Sequence, residues 1–311
     1  MKGTNAFKNG PLTWLLLTPT FVILIIFLYY PLLQSFVVSF FRSNLILGTR
    51  NFIGFQNYVN LFTGTAARPY RQILLQSLLF SALVILIGLS ISLGLAMLAN
   101  SRIRGARIYR TLLIWPFALS PAVAGVIFAF IFNPESGLVN QYLSAWFGIR
   151  PRWLDNPTLA FSLIIAATIW KNLGYNIVFY LAALQNIPGE LSEAAAIDGA
   201  NSWQRFRVII FPMLSPMTFF LVFTNLVYSF FDSFGLIDVM TRGGPVGSAP
   251  FDHAGVTTTL IYEIFRRGFG GSSNVGLAAA QSVILLFIVV GITLLQFRYG
   301  GRRVHYGGGN E

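Results

Sequence analysis

Phe21-Val22-Ile23-Leu24-Ile25-Ile26-Phe27 is the centre of an apolar run that begins at Leu12-Thr13-Trp14 and reaches about residue 40. Five more such runs follow, at 73–99, 109–132, 159–184, 208–231 and 275–297. Each meets the length of about 20 residues that a helix needs to cross the hydrocarbon of a bilayer. The composition agrees. Of the 311 residues, 55% are hydrophobic, 10% are charged and 30 are Phe, and the mean hydropathy is +0.67. A soluble domain carries about 25% charged residues. This stock cannot cover a water-facing surface. The expected fold is an all-α integral membrane protein of six transmembrane helices in one domain over 1–311. The first run is too long for a signal peptide and lacks a small-x-small cleavage site, so it reads as an uncleaved helix. Pro19 and Pro31 within it are tolerable kinks.

The net charge is +11, from 21 Lys+Arg against 10 Asp+Glu. In a soluble chain that balance suggests nucleic acid. In a membrane chain it reads as topology, and no nucleic-acid partner is expected. Six spans put both termini on one side, with Lys2, Lys8, Arg102, Arg104, Arg107, Arg110, Arg205, Arg207, Arg298, Arg302 and Arg303. The other side has Arg42, Arg50, Arg68, Arg71, Arg150, Arg152, Arg242, Arg266 and Arg267. Short loops dominate orientation. The four arginines from Arg102 to Arg110, where the second run gives way to the third, therefore place both termini in the cytoplasm. The long loops, about 41–72, 133–158 and 232–274, then lie outside. In the last of these, Ile261 to Arg267 reads as a short amphipathic helix at the interface.

No enzymatic constellation is present. With no Cys and only His253 and His305, disulfides, thiolate sites and multi-histidine metal sites are excluded. The only lysines are Lys2, Lys8 and Lys171, and none completes the glycine-rich phosphate loop that ATP binding of that type requires. Glu193 and Asp198 would stand about 140° apart on a helix, so they are no catalytic pair. No cofactor is expected.

The loop between the fourth and fifth runs, 187–207, is the most informative. It contains Ile187-Pro188-Gly189-Glu190-Leu191-Ser192-Glu193-Ala194-Ala195-Ala196-Ile197-Asp198-Gly199-Ala200. Pro188 near the start and Glu190 in the first turn suit a helix N-terminus. Ala194 to Ala196 favour helix with little bulk. Gly199 is able to take the left-handed conformation that ends a helix. Leu191, Ala194, Ala195 and Ile197 offer an apolar face. A second turn starts at Ser202, and Pro212 marks entry into the fifth run.

Glu193-Ala194-Ala195, Asp198-Gly199-Ala200 and Ile209-x-Phe211-Pro212 resemble the E-A-A-x-x-D-G-A, eight residues, I-x-L-P pattern of inner-membrane permease subunits of ABC importers. Phe211 stands where Leu is usual. Phe52-Ile53-Gly54-Phe55-Gln56-Asn57-Tyr58, Trp115-Pro116, Phe132-Asn133-Pro134, Leu181 to Pro188 and Gly243-Gly244-Pro245 are similar to carbohydrate-type permeases. Gln185 to Ala200 and Asn225 to Asp232 resemble glycerol-3-phosphate permease subunits in particular. Ser248 to Gly255 looks like an insertion. The resemblance implies a multi-pass inner-membrane subunit carrying sn-glycerol-3-phosphate or glycerophosphodiesters, or alternatively a sugar or oligosaccharide. It implies two separate ATP-binding subunits, a second permease chain forming a heterodimer, and a periplasmic substrate-binding protein. Glu190, Glu193, Ala194, Ala195, Asp198, Gly199 and Ala200 would couple to the ATPase. Trp203 would lie near it. An ion-coupled secondary transporter is the alternative of another class. It calls for inverted repeats and coupling carboxylates within the spans, and neither is evident.

Lys171 falls near mid-membrane in the fourth run, where an ionisable side chain is costly and usually functional. Asn172, Tyr175 and Asn176 extend a polar stripe from it. Asn225, Tyr228, Ser229 and Asp232 form another on the fifth run, at i, i+3, i+4 and i+7. Two readings stand. Either the stripes line a translocation path that favours an anionic phosphoester, or they join helices, with Lys171 snorkelling or paired with an acidic residue of a partner chain. Trp14, Trp115, Trp146, Trp153 and Trp170 fit interface belts or helix packing.

Overall fold

The computed structural model describes residues 10–44, 46–100, 106–247, 252–270 and 274–300. Lys2, Lys8, Arg102, Arg104, Arg302 and Arg303 of the charge count, Ser248 to Phe251 of the insertion, and the tail beyond Gly300 lie outside the described residues.

The described residues are mostly helical. In order it forms α1 (Gly10–Leu24), α2 (Tyr30–Val38), β1 (Phe41–Asn44), β2 (Thr49–Phe52), α3 (Gln56–Phe62), α4 (Ala67–Asn100), α5 (Ala106–Ile114), α6 (Pro121–Ile131), α7 (Leu138–Phe147) and α8 (Pro157–Gln185). Then come α9 (Gly189–Ile197), α10 (Ser202–Arg205), α11 (Phe211–Met213), α12 (Ser215–Phe231), α13 (Phe234–Met240), α14 (Leu260–Phe269) and α15 (Val275–Gly300). The expectation of an all-α chain needs one correction. Phe41–Asn44 and Thr49–Phe52 pair as an antiparallel hairpin. Phe41 packs edge-on against Phe52 at 5.3 Å, the cross-strand aromatic contact that holds such ribbons.

Among the described residues, three helical stretches are long and apolar enough to cross a membrane unaided: Thr13–Val38, Gly64–Asn100 and Val275–Arg298. The number reaches five if two bent pairs each count as one span. The expected third run, 109–132, is not one straight helix. It bends by 107° between Thr111–Ala118 and Pro121–Ile131. Pro116 and Pro121 supply no amide to a continuous ladder, and Ser120 caps the new helix by accepting from Val123 N at 3.3 Å. The expected fifth run bends by 66° between Ser202–Met213 and Ser215–Phe231. The expected fourth run lies within α8, whose 29 residues are long enough at about 1.5 Å each. Lys171, Asn172 and Asn176 dilute its apolar character.

Two π-turns share one cause. Ile25–Tyr29 and Phe206–Ile210 each end two residues before a proline, Pro31 and Pro212. A proline ring crowds the carbonyl four residues back and offers no N–H to it. The ladder widens there, so Tyr30 N–H reaches Ile25 O and Phe211 N–H reaches Phe206 O.

The chain divides into two compact units. The smaller comprises Met1–Leu61 and Ile264–Ile284. Within it the buried Asn57 amide donates to Ser39 O at 2.7 Å and to Phe41 O at 3.0 Å. Asn57 thereby ties α3 to the start of the hairpin, which gives the Phe52–Tyr58 motif a structural reason.

The larger unit comprises Phe62–Glu263 and Leu285–Glu311. Its core joins Phe80 and Val84 of α4, Leu163, Ile164, Ile165, Ala167 and Ile169 of α8, Ala124 of α6 and Leu236, Ile237 and Met240 of α13. Two glycines allow backbones to meet, the usual basis of helix association in lipid. A Cβ at Gly125 would stand 3.1 Å from Val239 Cβ, and one at Gly174 only 2.7 Å from Ile114 Cα. The loop after α13 folds back onto α4. Gln72 donates to Ala254 O at 2.9 Å and accepts from His253 N and Ala254 N. Ser77 Oγ accepts from Leu260 N at 2.8 Å at the start of α14. The amphipathic helix expected over Ile261 to Arg267 forms, but its first turn is packed into protein: Leu260, Tyr262 and Glu263 are buried.

Replacing Gly174 with Val should push α8 from Ile114. Overpacking of this kind costs about 1–3 kcal/mol, so the unfolding midpoint in detergent should fall by several degrees. An unchanged midpoint would contradict the close approach.

Candidate functional site

Two sites emerge, and both belong to the larger unit. The first is the seam between α8 and α12. Lys171 is the central residue of α8, with fourteen residues before it and fourteen after. Its Nζ lies 2.9 Å from Asp232 Oδ2. The acidic partner is thus in the same chain. Further along, Tyr175 meets Tyr228 edge-on at 5.6 Å. Asn176 and Asn225 exchange amide hydrogen bonds at 3.1 and 2.7 Å. Tyr180 OH donates to Thr218 Oγ1 at 3.4 Å. As the number rises on α8 it falls on α12, so the helices run antiparallel and the two polar stripes close on each other.

The seam has two edges. Asn176, Asn225 and Ser229 are buried, and Ser229 Oγ donates to Leu226 O at 2.9 Å. Asn172 is also buried, and its Oδ1 has no partner among the described residues. It stands apart from the paired rungs. The other edge is half-buried and aromatic. Phe117 packs on Tyr175 at 5.2 Å, Tyr175 on Phe179 at 4.7 Å and Phe179 on Phe220 at 5.3 Å. Lys171 Nζ lies 5.6 Å from the Phe117 ring centre, within cation–π range. Sequence reading missed Phe117, Phe179 and Phe220, because an aromatic in an apolar run carries no signal of its own.

The second site is the loop after α8. Pro188 caps α9, and Glu190 stands in its first turn. Its end is a complete Schellman motif: Ala200 N–H bonds Ala195 O at 2.9 Å and Gly199 N–H bonds Ala196 O at 3.2 Å. Gly199 has φ +82°, where a side chain is strained. The Asp-Gly-Ala triplet is therefore a helix stop. A reciprocal capping box restarts the chain, with Gln204 N to Asn201 Oδ1 at 2.9 Å and Asn201 N to Gln204 Oε1 at 2.8 Å. Asn201, one residue before the expected start, is the cap that sequence reading passed over. Arg205 reaches back to Ser192 Oγ at 3.5 Å.

The loop's apolar side chains face outward. Ile197 is 87% exposed and Trp203 67%, while Leu191 and Phe211 are also exposed. Glu190, Glu193, Ala194, Asp198 and Gly199 are exposed, and Ala195 and Ala200 half-buried. Ala195, Asp198, Gly199, Ala200, Gln204, Arg205, Val208 and Ile209 line a concavity of about 360 Å³.

Residues 88–300 match the family described as binding-protein-dependent transport system inner membrane component. The chain belongs to this family. It is an inner-membrane transport component and not an enzyme. A Rhizobium meliloti (strain 1021) protein named sn-glycerol-3-phosphate transport system permease protein UgpA is 42% identical over 97% of this chain and 98% of its own length. A protein of the same name from Yersinia pestis bv. Antiqua (strain Antiqua) is 43% identical over 96% of this chain and 97% of its own. Among solved structures, a bacterial ABC transporter involved in alginate import has a similar fold, with a TM-score of 0.79 at 24% identity over 94% of this chain and 95% of that one. A bacterial alginate ABC transporter in complex with its pentasaccharide-bound periplasmic protein matches equally well, with a TM-score of 0.79 at 24% identity over 96% of both chains.

In this transport component, Gly199→Val should strain the helix stop by about 1–2 kcal/mol. Hydrogen exchange at the amides of residue 199 and Ala200 should then accelerate. Unchanged exchange would contradict the Schellman geometry.

Proposed function

We propose that the chain is one of two permease subunits of an ATP-driven importer for sn-glycerol-3-phosphate or glycerophosphodiesters. It crosses the inner membrane six times, α8 being the polar span, with both termini in the cytoplasm. The observation that carries the substrate is the match with the glycerol-3-phosphate permeases, at 42–43% identity along almost the whole of both chains.

The loop of α9 and α10 is the docking element for a separate ATPase subunit. Its support is physical. A short helix ended by its own backbone bonds, with Leu191, Ile197 and Trp203 exposed, offers a rigid apolar knob to a partner. Glu190, Glu193, Ala194, Ala195, Asp198, Gly199 and Ala200 form that element. Two ATPases closing on ATP would move two such knobs, one from this chain and one from a second, different permease. The transmembrane helices would then follow as rigid bodies between inward- and outward-facing states. A periplasmic binding protein delivers substrate to the outer loops.

Lys171, Asn172, Tyr175, Asn176, Asn225, Tyr228, Ser229 and Asp232 belong to the translocation path in this reading. One observation favours a second reading, a sugar or oligosaccharide as cargo. The half-buried rings of Phe117, Tyr175, Phe179 and Tyr228 offer apolar faces of the kind that stack on sugars, beside a lysine whose charge is already paired.

The test is uptake by cells that carry the complete importer and lack other routes for the substrate. Labelled sn-glycerol-3-phosphate should accumulate, and a neutral disaccharide should not. Glu193→Lys and Gly199→Asp should reduce uptake to background while the chain still inserts. Accumulation of the disaccharide alone would overturn the phosphoester reading. Full uptake by both loop variants would overturn the docking assignment.

A further inference from the structure

The two members of the Lys171–Asp232 pair differ in exposure: the lysine side chain is 8% exposed and the aspartate 39%. A molecule arriving from the open side meets the carboxylate before the ammonium. The two also differ in how firmly they are held. Lys171 sits at the centre of a 29-residue helix with its ammonium beside the Phe117 ring. Asp232 is the residue that closes α12, directly before the turn into α13. Among the described residues, the only hydrogen bond given to its carboxylate comes from Lys171.

A carboxylate oxygen and a phosphate oxygen are equivalent acceptors for an ammonium, at similar distance and in similar charge-assisted bonds. Resting on the glycerol-3-phosphate reading above, we propose that Asp232 is a built-in stand-in for the substrate phosphate. It compensates Lys171 while the path is empty, and the phosphoester displaces it. One ion pair replaces another, with no bond made or broken and no proton moved. The displaced carboxylate turns to the side on which it is already exposed.

Such an exchange suits a transporter. A free buried ammonium is costly and would retain an anion too well. An internal competitor weakens the hold on every anion by a constant factor, and its return promotes release. Asp232 is then a specificity-determining residue. It sets the affinity for the phosphate, while leaving a neutral polyol unaffected.

Equilibrium binding to the permease–ATPase complex in lipid nanodiscs, without the binding protein, tests this. The probes are labelled sn-glycerol-3-phosphate and labelled glycerol. Asp232→Asn should tighten binding of the phosphoester about tenfold, within the range usual for coupled sites, with glycerol unchanged. The double variant Lys171→Met with Asp232→Leu removes both charges together, so that neither is left unpaired. It should assemble, but bind the phosphoester no better than glycerol. If Asp232→Asn alone fails to assemble, this variant still tests whether the pair meets the phosphate. Unchanged or weaker phosphoester binding by Asp232→Asn would show the pair to be only a tie between helices. So would wild-type affinity in the double variant. If the wild-type importer takes up a neutral sugar and no glycerol-3-phosphate, the substrate reading fails and the exchange falls with it. Wild-type uptake of glycerol-3-phosphate with no shift in Asp232→Asn removes the exchange alone.

Discussion

A lysine at the middle of an apolar helix has to be compensated, because an isolated charge in hydrocarbon is far costlier than any single packing contact. Lys171 meets that requirement with Asp232, 61 residues later in the chain. Much of the larger unit is arranged consistently with this one pair. For the carboxylate to arrive, α12 must run antiparallel to α8 in a single register. The Asn176–Asn225 exchange and the Tyr175–Tyr228 contact fix that same register. Each rung would be lost by a slip of one residue, so the polar seam specifies how two otherwise greasy helices align.

The breaks in the helices serve the same arrangement. Just before the 107° bend after Ala118, the Phe117 ring lies beside both Lys171 and Tyr175. Gly174 lets the Ile114 backbone come into direct contact with α8 at this level. The end of α12 at Phe231 leaves Asp232 at a turn, with an open side. The chain after that turn is held separately. Thr257 Oγ1 and Thr258 Oγ1 donate to Gly244 O and Gly243 O, and Gln72 anchors His253 and Ala254 to α4. Asp232 thus stands at a junction between two well-fixed segments.

Much of this was legible in the sequence for physical reasons. Apolar runs are long and need no partner to be recognised, so the helical membrane character was plain. The helix over Gly189–Ile197 was legible because its limits are local: proline at one end and a Schellman stop at the other, written within fourteen residues. Lys171 was conspicuous because a membrane-depth cation has few reasons to exist. Its partner was not, since nothing local links residue 171 to residue 232. By its position Asp232 reads as part of the outer loop 232–274. The bends at Leu119 and Leu214 were also hidden. Proline is tolerated within membrane spans, so its presence does not announce a break. The hairpin escaped because Phe41–Asn44 and Thr49–Phe52 are each only four residues long, too short for an alternating pattern to stand out. The two π-turns were absent from the reading, although both precede a proline by the same interval.

The closure of α8 on α12 is the central claim, and the chain's lack of cysteine makes a direct measurement clean. Tyr175→Cys and Tyr228→Cys, introduced together, should form an intramolecular cross-link in membrane vesicles with a short bifunctional maleimide, because the two side chains face each other across the seam, with ring centres 5.6 Å apart. Absence of any cross-link, with each cysteine still reactive toward a monofunctional maleimide, would contradict the seam and the ion pair built on it.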